Sequence, residues 1–225
     1  MRGIFITGTD TAVGKTTVGI QVAEILRESG QRVRVRKPVE TGCEKRTKID
    51  ILEPSDAVRL QAAAGAVDAL EIVCPYRYEP PVSAEWAARL TNRPLELGDL
   101  HAACLKGVGD DDFLLIEGAG GFYSPIARGA LNADLAAGMG LPVLLVVADR
   151  LGAVNQTLLA IEAIHMRGLA LLGVVLNQVA EPDNPFLDNH ADMQRWLSAP
   201  VIHLAYNSHP DLKLALWVRN WIREA

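Results

Sequence analysis

Apolar residues in this chain occur in two spacings, as continuous runs and as helical stripes. The main continuous runs occupy residues 4–6, 113–116, 143–148 and 171–176, the last interrupted by one glycine. Stripes lie between them, such as Val18, Val22, Ile25 and Leu26 at helical intervals. Strands that are apolar on both faces and alternate with helices are typical of a parallel sheet with helices on both sides. The pattern therefore predicts an α/β fold with a mostly parallel sheet.

Weaker signals place the remaining elements. Alternating apolar and basic residues that stop at Pro38 predict a strand at 33–37, and a last short strand is predicted at 200–204. Residues 39–54 show no periodicity, which predicts a long loop. Further helices are predicted at 55–64, 86–90, 97–106, 132–139, 154–166, and near the C-terminus on a stripe of Leu214, Trp217, Val218 and Trp221.

Residues that could take part in binding or catalysis follow or end several of the predicted strands. They are the segment 8–16, Lys37, Glu117, Asp149 and Asn177. Ligands of such folds bind at the carboxyl ends of the strands, and parallel strands end on the same edge of the sheet. We therefore expect these residues to lie close together, although Asp149 is predicted to be structural rather than catalytic.

Length and composition narrow the class of protein. With 225 residues, 49% of them hydrophobic and 22% charged, the chain is expected to form one globular domain over residues 1–225. A net charge of −5 without a basic run argues against a nucleic-acid partner. No apolar run reaches the length of a membrane span and no secretory signal is visible, so a cytoplasmic protein without a membrane partner is expected. Three scattered cysteines suggest neither disulfides nor a zinc site.

The first strand is followed by a segment that is typical of phosphate binding. Gly14, Lys15 and Thr16 open the first helix, where free backbone N–H groups and a lysine can hold phosphates and a hydroxyl can bind Mg²⁺. Five residues separate Gly8 from Gly14, one more than in the standard phosphate-binding loop, so this loop is a variant. The alternative is an ordinary glycine turn with a first-turn lysine.

Four other side chains have a chemical and a structural interpretation. Glu117 ends an apolar strand where nucleotide-binding enzymes place an acid near Mg²⁺, or it caps the glycines that follow. Asp56 is a metal ligand or only an acid that stabilises a helix start. Lys37 is a catalytic cation or a solvated lysine. Asn177 can pair with an adenine edge or form a turn.

Taken together, these segments resemble the dethiobiotin synthetase family. The resemblance rests on residues 8–11 and 13–16, Lys37-Pro38-Val39 with Thr41-Gly42, Ser55-Asp56-Ala57, Glu117 with the glycines after it, Leu151-Gly152 with Asn155, and Asn177. It covers the chain from Ile4 to about Asn177. It implies an ATP-dependent cyclo-ligase with the P-loop NTPase fold that joins CO₂ to 7,8-diaminopelargonate and closes a cyclic urea, with Mg²⁺ as cofactor.

The resemblance also implies roles for individual residues. Catalysis would involve Lys37, Lys15 and Thr11, and Mg²⁺ would be held by Thr16, Asp56 and Glu117. ATP would be bound by Ala12, Val13, Gly14, Lys15, Thr16, Thr17, Asp56, Glu117, Gly118, Ala119, Gly120, Asn177, Tyr206, Asn207 and Ser208. The diamine would be bound by Thr41, Ser83, Gly152, Ala153, Val154 and Asn155. The family's dimers imply a homodimer in which the last four come from the neighbouring subunit.

Two departures from the family pattern and two alternative classes complete the prediction. Position 12 is alanine where relatives carry glutamate, and residues 200–210 match poorly. A switch ATPase of the partition or division-site type would share the sheet, but its signature lysine would stand where this chain has Asp10. An amidotransferase-type diamide synthase would need a further domain for which 225 residues leave no room.

Overall fold

A computed structural model of the chain describes residues 2–45, 51–181 and 184–224. The strands of these residues are β1 (Arg2–Gly8), β2 (Arg32–Arg36), β3 (Val39–Thr41), β4 (Glu44–Lys45), β5 (Leu52–Glu53), β6 (Tyr76–Tyr78), β7 (Asp112–Gly121), β8 (Pro125–Ala127), β9 (Ala130–Leu131), β10 (Val143–Ala148), β11 (Leu171–Asn177) and β12 (Val201–Leu204). The helices are α1 (Lys15–Glu28), α2 (Ser55–Ala63), α3 (Leu70–Val73), α4 (Ala84–Leu90), α5 (Leu97–Leu105), α6 (Asn132–Met139), α7 (Ala153–Met166), α8 (Asn189–Trp196) and α9 (Leu212–Glu224).

Six strands form the central sheet in the order β12-β11-β10-β1-β7-β2. Every neighbouring pair in this sheet is parallel. The apolar runs fill its middle, because a strand covered on both faces must be apolar on both. This confirms the predicted parallel α/β sheet, and it brings the carboxyl ends of all six strands to one edge.

Helices cover both faces of the sheet and divide the core into two apolar clusters. Ile4 and Ile6 of β1 face one cluster, and Phe5 between them faces the other. Helices α1, α2, α3 and α9 contribute to the first cluster, and α4 to α8 contribute to the second. Within the part of the chain that the structure describes, no helix is long and apolar enough to cross a lipid bilayer.

The structure corrects two of the predicted elements and adds elements that were not predicted, α8 among them. Strand β7 does not end at Glu117 but continues through the glycines to Gly121, which pairs with Gly8. The predicted loop at 39–54 contains β3, which pairs with β6, and β4, which pairs with β5. Residues 46–50 of that loop lie outside the described residues. Helix α8 was not predicted because its surface is mostly polar and Met193 is its one buried apolar residue.

Candidate active site

The loop between β1 and α1 has the backbone that phosphate binding requires. Gly14 precedes α1 with φ +92°, a conformation that favours glycine. A Cβ atom at this position would lie 2.0 Å from the Nδ2 atom of Asn177. The absence of a side chain therefore lets the loop approach β11. The first N–H groups of α1 have no partner within the helix, as at any helix start, so they can bind an anion.

Lys15 lies at the start of α1, and its side chain is turned back towards the loop. Its Nζ atom donates a hydrogen bond of 2.7 Å to the carbonyl oxygen of Asp10. Burial lowers the pKa of Lys15 to about 8, although the nearby carboxylate of Glu117 acts in the opposite direction. A buried ammonium group with so little hydration is well suited to attract phosphate.

Glu117 is the centre of the site. Its side chain is fully buried. Its Oε1 atom accepts hydrogen bonds from the Thr16 hydroxyl at 2.8 Å and from Lys37 Nζ at 2.5 Å. Lys37 Nζ also lies 3.3 Å from Asp56 Oδ2. The structure thus brings together the residues that the sequence predicted to carry the metal and the transferring phosphoryl group.

The two carboxylates keep Lys37 charged. Burial alone would lower the pKa of Lys37, but Glu117 and Asp56 raise it above its ordinary value. An ammonium group paired in this way stays protonated over the whole physiological range. It can therefore serve as a fixed positive charge rather than as a base.

The donor atoms around Glu117 fit a magnesium ion. Among the described residues, Glu117 Oε2 is buried and has no hydrogen-bond partner. The Thr16 hydroxyl and the Asp56 carboxylate complete a set of oxygen donors, which Mg²⁺ prefers. No group of three or more His, Cys, Asp or Glu side chains in the described ranges could hold a metal unaided. A Mg²⁺ ion held by few protein oxygens takes its other ligands from nucleotide phosphates and water.

A cavity of about 290 Å³ opens in front of these residues. Most of the predicted catalytic and phosphate-binding residues line it, together with one predicted diamine residue. They are Thr11, Ala12, Gly14, Lys15, Thr16, Thr17, Lys37, Thr41, Asp56, Glu117, Ala119 and Gly120. We call it the phosphate cavity.

A second cavity of about 550 Å³ lies beside the first, and we call it the base cavity. Its lining includes the four residues that were predicted to contact adenine, Asn177, Tyr206, Asn207 and Ser208. Ala12, Gly14 and Thr17 line both cavities. One nucleotide could therefore lie with its phosphates in one cavity and its base in the other.

Asn177 holds the phosphate loop as well as lining the base cavity. Its Nδ2 atom donates a hydrogen bond of 3.0 Å to the carbonyl oxygen of Val13. An asparagine amide has two donor hydrogens and an acceptor oxygen, so one hydrogen and the oxygen stay available for a base.

Several predicted residues line neither cavity. Val13 is buried in the core. At Gly118, a Cβ atom would meet the Asn132 side chain at 2.4 Å, so this glycine serves close packing. Ser83, just before α4, lies outside both linings, and so do the four residues that begin α7, Gly152, Ala153, Val154 and Asn155. Helix α7 follows β10, and two strands, β1 and β7, separate β10 from β2, after which Lys37 stands, so within one subunit the start of α7 does not lie next to Lys37.

The cavities also contain residues that the sequence analysis missed. Glu40 and Arg59 line the phosphate cavity, and Arg59 also lines the base cavity with Gln21 and Gln178. Gln21 of α1 fixes one wall, because it donates to the Ser208 carbonyl at 3.1 Å and accepts from the Asp211 N–H at 3.0 Å. Arg59 stands one helical turn after Asp56, and that spacing was the available signal.

Asp149 has neighbours that agree with the structural role predicted for it. Its carboxylate accepts a hydrogen bond from Asn189 Nδ2 at 2.8 Å and lies 3.2 Å from His203 Nε2. These contacts tie the end of β10 to α8 and β12. Arg150, the next residue, reaches Asp10 of the phosphate loop at 3.7 Å.

A glycine loop before a helix, a lysine and a hydroxyl at that helix start, and an acid on the neighbouring strand of a parallel sheet define a P-loop nucleotide-binding protein. A family model described as an AAA domain matches residues 2–206. The chain is 40% identical to the ATP-dependent dethiobiotin synthetase BioD of Anaeromyxobacter dehalogenans (strain 2CP-1) over 225 residues, covering 100% of this chain and 94% of that protein. It belongs to the family of ATP-dependent dethiobiotin synthetases, which are ligases.

Further comparisons agree with this assignment. The dethiobiotin synthetase BioD of Vesicomyosocius okutanii is 38% identical over 213 residues, covering 95% of this chain and 93% of that protein. Among solved structures, the cell division ATPase MinD of Pyrococcus furiosus matches with a TM-score of 0.55 and 20% identity, covering 100% of this chain and 99% of MinD. This likeness shows the fold alone and does not favour a switch ATPase. The family and fold predicted from the sequence are confirmed.

Proposed function

We propose that this chain catalyses the ATP- and Mg²⁺-dependent carboxylation and ring closure of 7,8-diaminopelargonate, which gives dethiobiotin, ADP and phosphate. Family membership supports the overall reaction. The observation that supports these residues as its site is the meeting of Lys15, Lys37, Thr16, Asp56 and Glu117 in the phosphate cavity. A reaction that gathers phosphate and carbamate charge in one place needs buried cations of this kind.

The proposed reaction has three steps. One amine of the diamine takes up CO₂ and loses a proton, which gives a carbamate. A carbamate oxygen then attacks the γ-phosphorus of ATP, the bond from that phosphorus to the bridging oxygen breaks, and ADP leaves. The second amine attacks the carbonyl carbon of the resulting carbamic-phosphoric anhydride and loses a proton. Phosphate departs as the cyclic urea closes.

The two lysines would stabilise the charge that moves during phosphoryl transfer. Lys15 and the N–H groups of α1 would hold the phosphates, and the charged Lys37 would face the carbamate and the transferring phosphoryl group, with Thr11 beside them. Thr16, Asp56 and Glu117 would hold Mg²⁺, whose charge offsets that of the phosphates.

The remaining substrate groups would occupy neighbouring surfaces. Adenine would lie in the base cavity against Asn177 and residues 206–208. Thr41 and Ser83 would contact the diamine. Its carboxylate would bind at the start of α7, residues 152–155, of a second subunit in a homodimer. One domain over residues 1–225 and a cytoplasmic location stay predictions.

The experiment that tests this function combines protein, Mg-ATP, bicarbonate and 7,8-diaminopelargonate, and looks for dethiobiotin by mass spectrometry. Phosphate release should depend on the diamine, because the phosphoryl acceptor is a carbamate rather than water. Phosphate release at the full rate without diamine would contradict the proposal and would favour the switch ATPase. Protein with Lys37→Gln serves as the control for a contaminating activity.

A further inference from the structure

Helix α2 begins without a capping side chain of its own. The residue before its first turn is Pro54, and it makes no side-chain hydrogen bond to the helix. The first N–H groups of a helix need acceptors from outside the helix. Here the Asp56 N–H donates to Glu40 Oε1 at 3.1 Å, and the Ala57 N–H donates to Glu40 Oε2 at 3.0 Å. The carboxylate of Glu40, 16 residues before Asp56, therefore caps the N-terminus of α2.

Glu40 joins two segments that both contribute to the phosphate cavity. It lies in β3, three residues after Lys37 and one before Thr41, and is only 6% exposed. The backbone of Lys37 is fixed in turn by a hydrogen bond of 2.9 Å from its N–H to the Val73 carbonyl. Both oxygens of Glu40 are taken by the N–H groups of α2, so the contact fixes orientation as well as distance.

The backbone and the side chain of Asp56 are thus held from the same short segment. Glu40 binds the Asp56 N–H, and Lys37 Nζ lies 3.3 Å from Asp56 Oδ2. Asp56 has no other acceptor for its N–H within the helix, because it stands in the first turn. Moving the start of α2 would therefore move the Asp56 carboxylate away from Lys37 and Glu117.

We propose that Glu40 is a positioning residue of this enzyme: by binding the Asp56 and Ala57 N–H groups, it holds the Asp56 carboxylate where Mg-nucleotide is bound. This inference rests on the proposed function, because it takes Asp56 as a magnesium ligand. Both Glu40 carboxylate oxygens already accept hydrogen bonds from N–H groups of α2, so Glu40 would act through Asp56 rather than as a metal ligand itself. Replacing a residue that orients a metal ligand through hydrogen bonds commonly lowers metal affinity by roughly 10–100-fold.

The first test is Glu40→Gln, which keeps the size of the side chain but has one acceptor oxygen for two N–H groups. The Mg²⁺ concentration that gives half-maximal binding of a non-hydrolysable ATP analogue should rise by roughly 10-fold. The affinity for the same analogue in EDTA should stay unchanged, because α1 and Lys15 are untouched. Both are measured by isothermal titration calorimetry. An unchanged Mg²⁺ requirement would overturn the proposal.

Two further variants separate positioning from loss of a helix cap. Asp188→Ala removes a comparable contact, the 2.9 Å hydrogen bond from the Ala191 N–H that caps α8, and should lower the melting temperature without changing the Mg²⁺ requirement.

In an Asp56→Asn background, Glu40→Gln should add little to the Mg²⁺ requirement, since Glu40 acts through Asp56. Fully additive effects would overturn the proposal. If Glu40→Gln does not fold, Glu40→Asp replaces it with the same expectations.

The binding measurement needs neither diamine nor turnover. A wild-type protein that binds Mg-nucleotide but makes no dethiobiotin would refute the proposed function. A wild-type protein that makes dethiobiotin, with a Glu40→Gln variant of normal Mg²⁺ requirement, would refute the role of Glu40 alone.

Discussion

The site favours the protonated, positively charged form of Lys37. It is buried between Glu117 and Asp56, and these carboxylates keep its pKa above the ordinary value. In the proposed reaction such a group would transfer no proton, so its contribution would be electrostatic. Lys15 differs, since burial lowers its pKa to about 8. The two lysines of one cavity thus have opposite pKa shifts.

We expect Lys37→Gln to lower turnover on the order of 10²-fold or more, because the positive charge at the transferring phosphoryl group is lost. The variant should still fold, since Thr16 continues to donate to Glu117 and the glutamine amide can also donate. Dethiobiotin formation and circular dichroism measure the two effects. Lys213→Gln, at an exposed position on α9, is the matched control. Normal turnover by Lys37→Gln would mean that Lys37 is only a structural ion-pair partner.

At the scale of elements, the contact between the phosphate loop and β11 depends on one glycine. Gly14 has φ +92°, and a Cβ there would lie 2.0 Å from Asn177 Nδ2. Asn177 in turn holds the loop through the Val13 carbonyl. A side chain at position 14 would therefore disturb the loop and the base cavity together.

Gly14→Ala should weaken ATP binding strongly, whereas Gly30→Ala should not. Gly30 has φ +83°, and an added Cβ would have nothing within 4 Å, so Gly30→Ala measures the effect of backbone strain without a steric clash. Both variants should lose about 1–2 kcal/mol of stability from the left-handed backbone. Denaturant unfolding and nucleotide titration separate the two effects. Equal nucleotide affinity of both variants would show that the contact with Asn177 is dispensable.

The sequence predicted those elements and residues whose signals are local. Apolar runs predicted β1, β7, β10 and β11 because a buried strand must be apolar along its length. The continuation of β7 through Gly121 was missed, because its cause is pairing with Gly8 of another strand. Glu40 was missed for the same reason, since its partners Asp56 and Ala57 are 16 and 17 residues away. The donor groups were predictable one by one, but their distances were not.

At the scale of the whole molecule, the proposed homodimer would account for the position of the start of α7 outside both cavities. The Ala153 N–H donates to the Arg150 carbonyl, but the next N–H groups of the first turn of α7 have no acceptor within the helix, which suits the diamine's carboxylate. The outer side of α7 also exposes Leu151, Leu159 and Met166, which an interface would cover. A neighbouring subunit would bring this helix start to Lys37.

Gly152→Glu should weaken diamine binding and leave ATP binding nearly unchanged, because the new carboxylate repels that of the substrate. Gly168→Glu is the matched control, since both glycines have positive φ and open space around them, at opposite ends of α7. Mixing Gly152→Glu with Lys37→Gln should restore part of the activity, because a mixed dimer contains one site without either defect. A monomer by light scattering, or no recovery despite proven subunit exchange, would exclude the shared site.

Two largely buried arginines of β2 affect whether another strand can pair with this edge of the sheet. Strand β2 is an outer strand of the sheet, and its Arg34 and Arg36 are paired with Asp112 and Asp68. Both ion pairs are already largely buried, and charged residues that point inward on an outer strand are one of the features by which proteins disfavour the addition of a foreign strand. We therefore expect the sheet to resist edge-to-edge aggregation on this side. In the proposed homodimer, subunits would then associate through helices and leave the carboxyl edge of the sheet open to substrates.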